Sequence, residues 1–504
     1  MTSFCSPRSL SHVAVCTVLA LVTPACSADR TVSDAGPDDG GAADSSQPPL
    51  DAGADAEPLD GSTDLAQGDQ GEDELDLGGP PDAGTPVPGW SEGADLFPGP
   101  VATRVTSSVF ADGRAVVMFE TATTSNVLRA LSWHGGETGA WTDLGVVNAG
   151  IAGTLAPLNN LDDLHLRIVH VGEDELLAVF QQDGGLYSNY FDGDVWGTPL
   201  RFEDSLSTIT LSSDGGSRAV LVYGLGTQVT ARFYDSSTHT LGAAVVVADL
   251  GLDLQLPLNF LSRAEIGADG AATVFFRDRD PATPSVYTVR GYRRAAGSST
   301  FTSELTPLTN LNSPFRFCSA GNAAGDVVFS FDERFTNMFG TFDRVRHVYR
   351  DAETGFTAVS DTSASGFLPN IDSCAISSNG DALIMVVNSN LPSAVFVPIQ
   401  YLDGVASTGG ALTVPVSVTG SRPQGSMATG GLGAVSYFRN DERVEVAQQA
   451  TRGGEFATGD FLSLPNVINT QLDQLWKASQ RMDDGRYVLL YQSGANHLRY
   501  AVLD

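Results

Sequence analysis

Apolar residues beyond residue 100 come in short runs, each set just behind a turn that contains glycine. The pattern recurs as Asp112-Gly-Arg-Ala-Val-Val-Met-Phe119, Asp214-Gly-Gly-Ser-Arg-Ala-Val-Leu-Val-Tyr223, Asp269-Gly-Ala-Ala-Thr-Val-Phe-Phe276, Ala324-Gly-Asp-Val-Val-Phe-Ser-Phe331, Asn379-Gly-Asp-Ala-Leu-Ile-Met-Val386, Leu432-Gly-Ala-Val-Ser-Tyr-Phe438 and Asp484-Gly-Arg-Tyr-Val-Leu-Leu-Tyr491. Gly172-Glu-Asp-Glu-Leu-Leu-Ala-Val-Phe180 is an eighth, degenerate copy. The glycines at 270, 325, 380, 433 and 485 are 55, 55, 53 and 52 residues apart, a period that marks a repeat architecture.

Short alternating runs predict strands, and the absence of a 3.6-residue stripe predicts few helices. In the first copy Arg104 to Phe110, Arg114 to Phe119, Leu128 to Trp133 and Ala140 to Val147 read as four strands. Asp112-Gly113 supplies the positive φ expected of a two-residue hairpin. The third strand returns at Leu186 to Phe191, Val229 to Tyr234, Val286 to Tyr292, Val345 to Tyr349, Val395 to Tyr401 and Val444 to Gln449.

A four-stranded antiparallel unit of about 50 residues, repeated with short links, predicts an all-β fold, a β-propeller whose blades cover one another's faces. Eight turns predict eight blades; the alternative is seven, with the second copy as an elaborated loop. The last copy supplies three strands, Gln474 to Gln480, Arg486 to Tyr491 and Leu498 to Leu503. Pro88 to Phe97 resembles the fourth strands around Trp141 and Trp196, so the segment near Trp90 is expected to close the ring as the outer strand of the last blade.

Charge sets the other boundary. Of 504 residues 60 are acidic and 28 basic, a net of -32, which argues against nucleic-acid backbones and anionic membrane surfaces as partners. Between Ser27 and Gly89 stand 16 acids and one arginine with no Phe, Trp or Tyr, and 41 of the 42 aromatics lie from Trp90 onward. A self-repelling segment without apolar mass cannot offset its own chain entropy, so residues 27–88 are expected to form a disordered acidic linker and residues 89–504 the propeller.

Residues 1–26 carry Arg8, the apolar run Val13 to Val22 and then Thr-Pro-Ala-Cys26, the layout of a secretory signal. Ala25 directly before Cys26, with the linker following at once, resembles the bacterial lipoproteins in which that cysteine is acylated, although Thr23 stands where those proteins favour leucine. The resemblance implies export, lipidation at Cys26, membrane contact only through the lipid anchor and, with Ser27 next, the outer membrane or cell surface of a Gram-negative bacterium. Ordinary cleavage near Ala25 is the alternative.

With an inner strand, an Asp-Gly turn and an outer Gly-x-Trp strand such as Val195-Trp196-Gly197, residues 90 to 504 resemble the sialidase-like (BNR-like) propellers found on bacterial surface lipoproteins. That family implies an arginine cluster, a tyrosine nucleophile with an acidic base and an acid aspartate. None of these maps onto this chain, since Leu166-Arg167-Ile168 and Phe315-Arg316-Phe317 lack the proline of the family's Arg-Ile-Pro motif.

Arg104, Arg167, Arg263, Arg316 and Lys477 each lie ahead of a turn on or beside an inner strand. Sharing a face, they make a ligand-binding basic funnel suited to a carboxylate or phosphate; otherwise each pairs with a local acid such as Asp162, Glu265 or Asp372. Trp476 is either a sugar-stacking platform or core filling. Cys318 and Cys374 hold similar places in consecutive repeats and are either a disulfide or two buried thiols. His165 and His170 point to opposite faces of a strand, so no metal is expected there, and Asp278 to Asp280 and Asp192 to Asp194 read as solvated turns rather than calcium loops. No cofactor is expected. These readings converge on a binding or scaffold module for a glycan or protein partner of the cell envelope, with a glycan-active hydrolase or lyase as the alternative and oligomeric state open.

Overall fold

The structure is a computed structural model that describes residues 90–504 apart from 93–94, 123, 135–140, 157–164, 205–207, 252–260, 280–282, 284–285, 313–315, 338–339, 363–368, 389–393, 409–411, 415–422, 440–442, 464–475 and 493–496. Cys26, the signal and the acidic linker lie outside the described residues, as do the side chains of Trp476 and Lys477.

The described chain is all β and folds into eight antiparallel blades set in a ring. The inner strands of blades 1 to 8 are Val101–Val109, Leu166–His170, Ile209–Ser213, Leu261–Ile266, Phe317–Gly321, Pro369–Ile376, Gln424–Met427 and Trp476–Arg481. Each neighbours the next, and the eighth returns to the first. Blades 3, 5 and 6 break their outer strand into two segments, and a single bridge between Asn312 and Arg334 joins blades 4 and 5 into one sheet.

Second strands read as unbroken apolar runs because both their faces are covered. Leu176–Gln182 and Tyr487–Gln492 are buried at every position. Packing between blades is aromatic in places: Phe275 of blade 4 stacks on Phe329 of blade 5 with centroids 4.0 Å apart.

Closure comes from the N-terminal side. Trp90–Glu92 pairs antiparallel with the final strand, Trp90 opposite Leu503 and Glu92 opposite Ala501. A clasp follows it: Leu96 donates its N–H to the Leu498 carbonyl at 2.8 Å, and Asp95 meets Arg499 Nε at 2.7 Å and His497 Nδ1 at 2.8 Å.

The turns after the inner strands differ from the sequence expectation. In the first, Phe110 N–H bonds the Arg114 carbonyl and Gly113 N–H bonds the Phe110 carbonyl, which leaves a three-residue loop whose only left-handed residue is Gly113, at φ 94°. The same geometry recurs at Gly270, Gly325, Gly380 and Gly485. It is the type I turn with a glycine bulge, so the aspartate keeps ordinary φ and its carboxylate accepts backbone N–H groups instead, as Asp112 does from Arg114 at 3.0 Å. In blade 7 the left-handed residue is Gly431, and Gly433 begins the next strand, which corrects the repeat count there to 51 residues after Gly380 and 54 before Gly485. Two-residue turns of the expected kind occur elsewhere, at Asp183-Gly184 and Asp403-Gly404, where both residues are left-handed.

Candidate functional site

The eight turns form one rim of the channel, and hydrogen bonds tie them into a closed circuit. Arg114 of blade 1 donates to the carbonyls of Gly172 in blade 2 (2.9 Å) and Gly215 in blade 3 (3.0 Å), spanning the degenerate turn. Arg218 then reaches Ala268, Ala268 N–H reaches Ala323, Asn322 reaches Ser377, and Ser378 reaches Thr429. Thr429 donates to Asp483 at 2.7 Å through its N–H, and Asp483 N–H closes the circuit on Ala111 at 2.9 Å. The backbone at this rim is committed to itself, so the opposite mouth, where the inner strands begin, is the candidate site.

At that mouth the structure brings Arg104, Arg167 and His165 together. Arg104 pairs with Glu120 at 2.5 Å and donates to the Ala156 carbonyl at 2.7 Å. Arg167 donates to the carbonyl of Leu166 at 2.8 Å. His165 is buried, and its pKa is pushed down to about 4, chiefly by burial and then by the positive fields of Arg167 and Arg104. The neutral imidazole sits beside the two guanidinium groups and is hydrogen-bonded to Gln181.

Arg263 stands on the inner strand of blade 4, and Arg316 directly precedes that of blade 5. Arg263 donates to the Ser262 carbonyl at 2.9 Å and lends its field to Glu265. The Arg316 N–H donates to Asp332 at 2.8 Å. The four arginines described thus stand at the inner strands of blades 1, 2, 4 and 5, and Arg104 pairs with Glu120 of a second strand.

Glu265 bridges three consecutive inner strands. Its carboxyl accepts hydroxyl hydrogen bonds from Ser319 at 2.5 Å and Ser212 at 3.1 Å. Burial raises its pKa against the opposing pull of those hydroxyls and of Arg263. Gly321 makes room for it, because a Cβ there would stand 2.7 Å from Glu265 Cβ. A small cavity beside it, lined by Glu265, Thr273, Arg293, Asn322 and Val327, lies toward the turn rim.

Cys318 and Cys374 form a disulfide, Cα to Cα 5.5 Å, that ties the inner strands of blades 5 and 6 across a 56-residue separation. Asp192 caps its own turn by accepting N–H bonds from Asp194 and Val195, and Asp278 holds Arg290 at 3.0 Å.

Glu120 was missed by sequence reasoning, yet it stands as far after Asp112 as Arg104 stands before it. Hairpin register therefore carried the signal.

No family model matches the chain, and no curated protein matches it. Solved structures similar to it include the Dos1 propeller, 10% identical with a TM-score of 0.47 over 83% of this chain and 95% of that one. Others are the polysaccharide lyase Uly1, 11% identical with a TM-score of 0.36 over 71% and 92%, and a lectin mutant of Aleuria aurantia in complex with Fucα1-6GlcNAc, 12% identical with a TM-score of 0.34 over 64% and 99%. The blade count rests on the sheets of this chain.

Proposed function

We propose that this propeller is a non-enzymatic binding module that takes a glycan at the mouth where its inner strands begin, and that the chain is exported and anchored through Cys26 to the outer membrane, with the acidic linker as its leash. The observation that carries the binding reading is the contrast between the two mouths: one rim is bound into a closed circuit, while the other gathers Arg104, Arg167 and a neutral His165. Against an enzyme stands the engagement of the raised carboxyl: burial lifts the pKa of Glu265, and its oxygens accept from Ser212 and Ser319, which favours a tie between inner strands over an acid catalyst.

A thermal-shift panel of neutral and acidic oligosaccharides on the purified mature chain tests the reading, since a ligand of the folded state raises Tm by mass action. The expected result is a shift with at least one saccharide that shrinks in Arg167→Ala. No shift with any saccharide contradicts it, and so does release of shortened products during the incubation. Cys26 anchoring is checked by detergent partitioning of the Cys26→Ser chain, which is expected to move to the aqueous phase.

A further inference from the structure

Blade 6 is poor in charge. Of the 55 residues from Pro369 to Pro423 only four are charged, Asp372, Asp381, Asp403 and Arg422, against 17% of the whole chain. Two of the three acids are already neutralised. Arg452 of blade 7 holds Asp381, which is fully buried, and meets Asp403 at 2.6 Å.

The outer strand of this blade, Val405–Thr408, is exposed at all four positions, with Val405 at 70%. It contains no charge, whereas in each other blade an outer strand carries a charged residue, Asp143, Glu203, Asp249 and Glu304 among them. The two-residue turn Asp403-Gly404 makes Leu402 and Val405 the closing hydrogen-bonded pair. Val405 and Ser407 therefore direct their backbone groups inward to Leu402 and Gln400, and Ala406 and Thr408 direct theirs away from the sheet. Among the described residues no other strand pairs with that far edge. An uncharged, unpaired edge lacks the protection against strand addition that sheet proteins ordinarily carry.

We propose that the edge Val405–Thr408 pairs antiparallel with the same edge of a second copy of this chain, about a two-fold axis at Ser407. The outward groups at Ala406 and Thr408 are symmetric about Ser407, so each Ala406 faces Thr408 of the partner subunit and the two copies share about four hydrogen bonds. Charge selects the occupant. Two copies with a net charge of -32 each repel, and blade 6 offers a contact that brings little charge together. A basic partner, drawn to acids elsewhere on the ring, meets at this edge only Asp403, which Arg452 already holds. A strand this short makes a concentration-dependent pair rather than an obligate one. The inference is independent of the glycan-binding reading.

Sedimentation velocity of the mature Cys26→Ser chain at concentrations from about 2 to about 200 μM tests it. The dimer fraction is expected to rise with concentration and with salt, which screens the repulsion between copies. Ser407→Asp, which sets two carboxylates opposite each other on the axis, is expected to leave a monomer with Tm unchanged. Ala406→Pro removes an outward N–H and no bond within the blade, and is expected to weaken the dimer roughly tenfold or more. Ser407→Cys is expected to cross-link into a dimer on oxidation, because opposed residues of a non-hydrogen-bonded pair stand about 4.5 Å apart, within disulfide reach. Val246→Cys, equally placed on the outer strand of blade 3, is expected to stay monomeric. A native chain that remains monomeric at the highest concentration overturns the proposal. So does a dimer that survives both Ser407→Asp and Ala406→Pro, or cross-linking of Val246→Cys as complete as that of Ser407→Cys.

Discussion

Gly325 and Gly321 flank the same strand turn and are constrained by different physics. Gly325 sits at φ 93°, and a Cβ there would make only an ordinary contact, 3.8 Å from Ala352 Cβ, so Gly325→Ala meets the left-handed backbone penalty alone, about 1–2 kcal/mol, and Gly325→Asn recovers part of it. Gly321 has no such backbone demand, but an added Cβ runs into Glu265, so Gly321→Ala is expected to cost about 1–3 kcal/mol by overpacking and Gly321→Asn to cost more rather than less. Denaturant midpoints of the four variants separate the two causes; a Gly325→Asn chain no more stable than Gly325→Ala contradicts the first. At this scale the candidate site was legible as residue types rather than as partners. Arg104, Arg167, Arg263 and Arg316 are conspicuous in an acidic chain, but an arginine's long stem lets it choose among several acids, and only strand register shows that Arg104 meets Glu120.

Strands and turns were the most legible features, because alternation and glycine spacing follow from local sterics. The turn type was not: Asp-Gly suits both a two-residue turn and the aspartate-glycine end of a three-residue loop, and the decision lies in how the strands pair on either side. The disulfide was equally balanced in the sequence, since nothing local says whether two inner strands stand side by side. As a link between the inner strands of blades 5 and 6, it is expected to contribute about 2–4 kcal/mol, so the Cys318→Ala/Cys374→Ala chain should melt lower than the native chain, and reductant should lower the native Tm alone. Identical melting of both chains contradicts that role. The closing strand of three residues leans on the Asp95 clasp, and Asp95→Asn is expected to lower Tm and to raise amide exchange in Leu498–Leu503 before it does so in other blades.

Over the whole ring, three buried histidines make a shared contribution to the pH response, opposed by the raised Glu265 carboxyl. His165, His170 and His347 are buried, and burial, the first cause for each, holds all three at a pKa of about 4. The unfolded chain takes up protons near pH 6.5 that the folded ring refuses until about pH 4, so their effect is nil above pH 7, grows as pH falls from 6.5 to 4, and is then constant. The histidine contribution to stability is therefore expected to fall across that window, so His170→Phe should lose less stability, or gain more, than the native chain between pH 6.5 and 4. An unchanged slope in that variant contradicts the assignment. Eight-fold closure was readable from the period and from the missing outer strand of the last copy, but the contrast between the mouths was not, because it depends on contacts between turns some 50 residues apart, such as Thr429 with Asp483. That contrast carries the functional reading, and a crystal structure of the mature chain soaked with the saccharide giving the largest thermal shift tests it most directly. The account predicts an intact sugar at the mouth beside Arg104, His165 and Arg167; a sugar seated on the turn rim, or one found cleaved, contradicts it.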